Sequence, residues 1–512
     1  MNLYVGVDSG TQGTRALVMD AGGAVLAKAS RPHTLIGGLP PGHMEQHPED
    51  WWRAAVEAVR MCLADQGVNP RSVRAIGVSG QQHGLVPLDA GGRVIRPAKL
   101  WNDTSTAVEA KALIDRLGGL QRVIGLVGNG VPPGFTAPKI LWLKTHEPEN
   151  YRRLATVLLP HDYLNFQLTG AKTMEYGDAS GTALMDVRNR RWSREVVDAI
   201  DPGLMDKLPV LRPSDEPAGH ISAGVSEELG LSRDVLASAG GGDNMMGAIG
   251  TGNTRPGVVT VSLGTSGTIY AFSEKPVVDP AGEVAAFCDS TNHWLPLVCT
   301  MNVTVATDLA RKAFSLSYEG LEEAVESVPA GSDGLLFLPY LTGERTPNIP
   351  GGKGVLYGLT PQNYDIRHIA RATMEGVTLG LNYGLNRLRE LGVDPTEIRL
   401  TGGGARNRAW RRVAADIFDA DTVTLHEEEG AAYGAAIQAM WCHLRTQGES
   451  AAVSQITDEL IKLDEGGRVQ PNPVNAAKYR EVQGRYDRLM GALRGFFEAG
   501  KPYTWPRRDE RY

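Results

Sequence analysis

Short apolar runs that end in a carboxylate or a glycine turn alternate along this chain with stretches that are apolar at every third or fourth position. Leu3-Tyr-Val-Gly-Val-Asp8 is such a run, Ser9-Gly-Thr-Gln-Gly-Thr14 is a turn, and Arg15-Ala-Leu-Val-Met19 resumes the strand pattern. Together they predict a hairpin whose turn presents backbone N–H groups and hydroxyls. Val258-Val-Thr-Val-Ser-Leu-Gly-Thr-Ser-Gly-Thr-Ile-Tyr-Ala-Phe272 repeats the device. A weak internal repeat of this kind predicts a duplicated architecture with a cleft between the halves, divided near the Gly/Pro/Thr cluster at 250–257. Residues 49–66 and 475–497 read as helices. Ala370, Met374, Val377, Leu381, Leu385 and Leu388 fall on one face of a third, over 368–390, which Gly392 stops. The polar tail at 501–512 is expected to fray.

At 512 residues the chain exceeds a single core, since domains average about 150 residues. Hydrophobic residues at 42% and charged residues at 22% exclude wholesale disorder. The 52 Lys and Arg against 59 Asp and Glu leave a net charge of −7, which speaks against a nucleic-acid partner. The four cysteines are far apart, with no C-x-x-C pair, so neither a disulfide scaffold nor a cysteine zinc site is expected. No signal-like leader and no membrane-length apolar run stands in the sequence, so a cytoplasmic location with no membrane partner is expected. A homodimer stays open.

Asp8, at a strand end before Ser-Gly-Thr11-Gln12, suits a hydrated Mg²⁺ beside a phosphate, although an ordinary Asx turn would look the same. The second turn, Gly264-Thr265-Ser-Gly267, favours the phosphate reading, because two such turns can hold a polyphosphate. No Walker P-loop motif is present. Thr401-Gly-Gly403-Gly-Ala-Arg-Asn407 joins a strand to a helix, a nucleotide geometry or merely a tight connection. Asp243, in Gly240-Gly-Gly-Asp243-Asn244, can take a proton from a substrate hydroxyl as it attacks phosphorus, or can simply cap a helix. Ser79-Gly-Gln-Gln82-His83-Gly84 ends an apolar strand in hydrogen-bonding side chains suited to a polyhydroxylated ligand, with a structural histidine as the alternative. Trp101-Asn-Asp103 adds a ring able to lie against a sugar, though a core tryptophan is equally common. No zinc-protease, serine-hydrolase or cysteine-nucleophile motif is present.

These elements, in this order, resemble the FGGY family of carbohydrate kinases over residues 3–493. Gly134-Phe-Thr-Ala-Pro-Lys139-Ile-Leu-Trp142-Leu and Gly354-Val-Leu-Tyr-Gly358-Leu, with His368-Ile-Ala-Arg-Ala-Thr-Met-Glu375 after a spacer, resemble its signatures. The resemblance implies an α/β fold of two ribonuclease-H-like, actin-like ATPase domains with a catalytic cleft between them. They would run from 1–252, with the sugar site and first phosphate hairpin, and 253–445, with the nucleotide site, followed by a helical extension at 446–512. Within the family the likeness is nearest to members that phosphorylate D-xylulose, on Asp8-Ser-Gly-Thr-Gln12, Ser79-Gly-Gln-Gln-His83, Leu100-Trp-Asn-Asp103 and Gly241-Gly-Asp243-Asn. It implies Asp243 as catalytic base and as substrate ligand with Asn244, Gln82, His83, Trp101 and Asp103. It implies Thr11, Gln12, Gly264, Thr265, Gly403 and Asn407 around ATP, and Asp8 with Asp243 on Mg²⁺. Another pentulose or polyol (ribulose, L-xylulose, a tetritol) is the alternative acceptor, and glycerol is disfavoured. An actin-like ATP-binding protein without sugar kinase activity is the distant alternative.

Overall fold

The computed structural model describes residues 2–427 and 430–499; the polar tail expected to fray lies outside the described residues. The chain forms two compact units. One holds the chain up to Val258 together with Tyr270–Pro296 and Glu427–Lys462; the other holds Val259–Ile269, Leu297–His426 and the chain from Leu463.

The first unit is built on a sheet in the order Gly219–His220, Leu236–Ala237, Val73–Gly80, Leu3–Ser9, Gly13–Asp20, Val25–Pro32, with Gly241–Gly242 also beside Val73–Gly80. The expected first hairpin is present, in antiparallel register from Leu3 opposite Asp20 to Ser9 opposite Thr14. Leu3–Ser9 runs parallel to Val73–Gly80, with Asp8 opposite Ser79, and Gly241–Gly242 runs parallel on the other side, with Gly242 opposite Gly80. Three neighbouring strands therefore end on one edge. That edge is where open α/β sheets bind ligands, and it receives Asp8, the Gln81–His83 segment and Asp243.

The central strands are apolar on both faces because both faces are covered. Leu3, Val5 and Val7 pack with Trp51, Ala55 and Val59 of the helix Pro48–Leu63. Tyr4 and Ala75 pack on the opposite side with Ala432, Ala435 and Ala436 of the helix Gly430–Thr446. Each such Val or Leu contributes about 1.5–3 kcal/mol on burial. The second helix is rich in alanine and glycine for a steric reason: a Cβ at Gly77 would stand 1.9 Å from the Ala435 carbonyl oxygen. The helix thus reaches the sheet backbone to backbone.

A second seven-stranded sheet runs in the order Ala285–Cys288, Trp294–Thr300, Gly267–Ala271, Val258–Leu263, Glu397–Thr401, Asp421–Leu425, Leu463–Val469. In both sheets the opening hairpin strand lies between its hairpin partner and a later strand, so the duplicated device in the sequence corresponds to duplicated topology. The long helix expected over 368–390 is Ile366–Glu390, begun two residues earlier because the Asp365 side chain accepts from the backbone N–H groups of Arg367 and His368. Those expected over 49–66 and 475–497 are Pro48–Leu63 and Pro473–Ala499. Among the described residues, no helix is long and apolar enough to cross a membrane.

Candidate active site

Asp8 lies in its strand, and its Oδ1 accepts a hydrogen bond from the Ser79 hydroxyl of the neighbouring strand at 2.7 Å. The Val73–Gly80 strand then delivers Gln81, Gln82 and His83, all buried. His83 has φ +65°, a left-handed backbone that costs a non-glycine residue of order 1–3 kcal/mol and persists only where the surroundings enforce it. The enforcement is visible. The His83 carbonyl accepts from Lys139 Nζ at 2.8 Å and from the Thr136 hydroxyl at 3.2 Å. The fully buried Lys139 also donates to the Gly134 carbonyl at 2.6 Å. The imidazole stacks on Phe135 with ring centroids 4.3 Å apart, and its Nδ1 lies 2.8 Å from the Gly181 carbonyl. A carbonyl can only accept, so Nδ1 carries the hydrogen and, in the neutral ring, Nε2 is the acceptor.

Asp243 opens the helix Asp243–Gly250. Gly242 takes the N-cap position, so Asp243 is not the cap that the sequence allowed as an alternative. Its Oδ1 accepts from the Asn244 backbone N–H at 2.8 Å and from Asn244 Nδ2 at 3.0 Å. The same Nδ2 donates to Gln82 Oε1 at 3.0 Å. A carboxylate accepts, so it turns the Asn244 amide, which in turn turns the Gln82 amide. Gln82 Nε2 is left buried with no hydrogen-bond partner, a state that costs about 1–3 kcal/mol unless a ligand supplies an acceptor. Burial, and then the negative charge of Asp8, push the Asp243 pKa up to about 7 against the lowering effect of the Asn244 bonds.

Trp101 and Asp103 meet different surroundings. The Trp101 indole N–H donates to the Thr11 hydroxyl at 3.0 Å. Asp103 is fully enclosed and accepts from the Met44 and Ser105 backbone N–H groups, the Ser105 hydroxyl and Lys99 Nζ. Gln12 is exposed, and its carbonyl accepts from the His33 backbone N–H.

The second unit holds the other expected residues. The Gly264 and Thr265 carbonyls accept from the backbone N–H groups of Thr304 and Val303. Gly402 has φ +81°, and a Cβ there would lie 2.8 Å from the Leu263 carbonyl, so the glycine loop rests on the second hairpin turn. A Cβ at Gly403 would meet nothing within 4 Å. Asn407 caps the helix Arg408–Phe418, its side-chain oxygen accepting from the Trp410 N–H at 2.8 Å.

Two family models, the N-terminal and C-terminal domains of the FGGY family of carbohydrate kinases, match residues 3–250 and 259–443. The chain belongs to the FGGY family of carbohydrate kinases. A xylulose kinase from Haemophilus influenzae is 41% identical over 492 residues, 94% of this chain and 98% of that protein. One from Streptomyces coelicolor is 40% identical over 457 residues, 88% of this chain and 90% of that protein. The crystal structure of xylulose kinase from Bifidobacterium adolescentis superposes with a TM-score of 0.81 at 32% identity, covering 94% of this chain and 99% of that one. This FGGY kinase is therefore a phosphotransferase with an alcohol group as acceptor and ATP as co-substrate, on the two-domain actin-like fold. Family membership removes the reading of an actin-like protein without kinase activity.

Sequence reasoning missed several residues that shape this site. Lys139 stood inside a quoted signature without a role. Its signal was an ammonium set among the apolar positions of the helix Thr136–His146, away from the last turn that carries Lys144. Gln438, a lone amide in the alanine-rich helix, accepts from the Ser238 hydroxyl at 2.7 Å and the Gly240 N–H at 2.9 Å, and donates to the Gly240 carbonyl at 3.0 Å. It thus pins the loop that leads into Asp243. Behind that loop His161 lies between Asp178, 2.5 Å away, and Asp162, 3.0 Å away, all three buried. Burial alone would lower the His161 pKa, but the two carboxylates raise it and keep the ring protonated.

Proposed function

We propose that this FGGY kinase transfers the γ-phosphoryl group of ATP to the 5-hydroxyl of D-xylulose, giving D-xylulose 5-phosphate. The observation that carries the chemistry is Asp243, a carboxylate with a pKa near neutrality, joined through Asn244 to the unpartnered Gln82 amide. The substrate class is supported by the xylulose kinases that the chain resembles. Asp243 accepts the hydroxyl proton as that oxygen bonds to the γ-phosphorus. The bond from phosphorus to the β-bridging oxygen breaks, and ADP leaves. A base whose pKa lies near the working pH is well matched to this transfer.

The donors and acceptors at the strand ends suit a sugar. Gln82 Nε2 offers hydrogens to a sugar oxygen, while His83 Nε2 and Asp243 accept from hydroxyls. Asn244 orients both Gln82 and Asp243. Thr11, Gln12, Gly264 and Thr265 are assigned to the phosphates, and Gly403 and Asn407 to the nucleoside. Sugar recognition then belongs to 1–252 and nucleotide recognition to 253–445.

The charge of Asp8 raises the Asp243 pKa, and a carboxylate pair of this kind is relieved by a divalent cation, so the residues fit Mg²⁺. Asp8 and Asp243 would hold it, and bound there it would neutralise charge on the β- and γ-phosphates. The same reading places the enzyme in the cytoplasm, with a homodimer as the assembly to check by sedimentation.

The test is ADP release from Mg·ATP with D-xylulose, ribulose, L-xylulose, tetritols and glycerol, beside a sugar-free blank. Turnover with D-xylulose well above the others is expected. Preferential turnover of another pentulose or a tetritol overturns the acceptor and leaves the base assignment standing. Sugar-independent ATP hydrolysis overturns the mechanism.

A further inference from the structure

Two indole N–H groups, which can only donate, fix the direction of a hydrogen-bond chain beside the first glycine–threonine turn. At one end Trp51 Nε1, fully buried, donates to Gln46 Oε1 at 3.0 Å. This turns the Gln46 amide, so its Nε2 donates to the Thr11 carbonyl at 2.7 Å and reaches His33 Nδ1 at 3.3 Å. Gln81 Nε2 donates to the same Gln46 Oε1 at 3.0 Å. Gln81 Oε1 is then the acceptor for the Thr11 hydroxyl, again at 3.0 Å. At the other end Trp101 Nε1 donates to Thr11 Oγ1 at 3.0 Å. His33 agrees with this polarity: its Nδ1 accepts, its Nε2 lies 3.2 Å from the Thr14 hydroxyl, and burial lowers its pKa and keeps it neutral. Gln46 and Gln81 are each 1% exposed, so water does not compete for these bonds.

A hydroxyl has one hydrogen. That of Thr11 is committed to Gln81, and Trp101 occupies one of its lone pairs. While the chain is intact, the Thr11 side chain cannot donate to a phosphoryl oxygen, and what the turn can offer an anion is its backbone amides. We propose that Trp101, Gln81 and Gln46 are positioning residues for the phosphate-side turn, and that the Trp101 indole N–H acts on the nucleotide through Thr11. The proposal rests on the reading above that this turn meets the phosphates of ATP.

Two measurements on the full-length enzyme test it. The first needs no activity. Of the nine tryptophans, Trp51→Phe and Trp101→Phe identify two indole N–H signals in spectra of ¹⁵N-tryptophan-labelled protein. Thr11→Val is expected to shift the Trp101 signal and speed its solvent exchange, and Thr11→Ser to restore both. A Trp101 signal indifferent to Thr11→Val overturns the chain. The second measurement is kinetic, with the best acceptor from the panel. Trp101→Phe, which keeps a ring, and Trp101→Leu, which does not, are expected to raise the KM for ATP alike, by about three- to tenfold for one lost hydrogen bond. For Trp101→Phe the KM for sugar should move by less than about twofold. An ATP KM unchanged in Trp101→Phe, or a larger rise in sugar KM than in ATP KM for that variant, overturns the proposal. If the wild type releases no ADP with any sugar, the kinase assignment fails, and the indole spectra alone decide the chain.

Discussion

Asp103 and Asp243 are both candidate substrate ligands in the sequence, yet they sit in opposite electrostatic states. Around Asp103 burial would raise the pKa, but the bonds from Ser105, Met44 and Lys99 outweigh it and hold the carboxyl below its ordinary value. The ammonium of Lys99 is itself buried, 3.1 Å from Asp103 and 3.1 Å from Glu45, with the Trp142 ring centroid 4.1 Å away. It stands where a cation would stand among His43, Glu45 and Asp103. Around Asp243 burial, and then the like charge of Asp8, outweigh the bonds from Asn244, and the carboxyl is pushed up to about 7. A carboxylate whose acceptor capacity is filled by the protein holds structure; one left under-neutralised is available to a proton or a metal-bound substrate. Proximity of polar residues to a strand end does not separate the two cases.

The sharpest way to break this comparison is to remove each carboxylate in turn. Asp243→Ala should lower kcat by at least about 10²-fold, the usual scale for a lost general base, with the thermal transition still present. Turnover at the wild-type rate by the folded variant would sink the base assignment. Asp103→Ala should act on stability. It leaves part of the Lys99 charge buried without its partner, a change that typically costs about 3–5 kcal/mol, with Glu45 retaining some of the compensation. Chemical denaturation should show a loss of that order. A variant as stable as the wild type but with a raised sugar KM would place Asp103 on the substrate instead.

Lys139 sharpens the comparison from the cationic side. Its ammonium holds the left-handed backbone of His83 through the carbonyl. Lys139→Met should let that residue relax and misplace the imidazole. The sugar KM should rise by about tenfold, roughly one well-placed hydrogen bond to a charged group, with the ATP KM much less affected. Equal effects on both substrates would mean a general loss of structure.

How far each part was legible follows from the same physics. Asp8, Gln82, His83 and Asp243 could be found because an apolar run closed by glycines marks a strand end, and parallel neighbours bring such ends to one edge. Gly402 and Gly403 were legible as a loop, but the sequence did not reveal that Asn407 uses its side-chain oxygen to cap a helix. Lys139, Gly181 and Gln438 were not legible as site residues. Lys139 and Gln438 act on backbone groups 56 and 198 residues away, and the Gly181 carbonyl acts on a side chain 98 residues away; no local pattern records such a partner. The helix Gly430–Thr446 belongs with the first unit although it follows most of the second in the chain, because only the folded sheet supplies the surface its small residues fit.

The smallest expected effect is also the most direct test of why Asp243 is available for chemistry. Its pKa is about 7 in the folded chain and about 3.9 when unfolded. The carboxyl is neutral in both states below about pH 4, so it imposes no penalty there. Between about 4 and 7 the unfolded chain releases the proton and the folded one keeps it, so stability falls as pH rises through this window and stays reduced above it. Asp243→Asn removes the penalty. Its apparent Tm should exceed that of the wild type by a few degrees at pH 8.5 and match it near pH 4. The wild-type kcat/KM should rise with pH through an acid limb near 7, displaced downward by whatever cation the carboxylates bind. An Asp243→Asn variant with no pH-dependent gain in Tm would mean that the carboxylate is as well compensated as Asp103, and the contrast between the two would collapse.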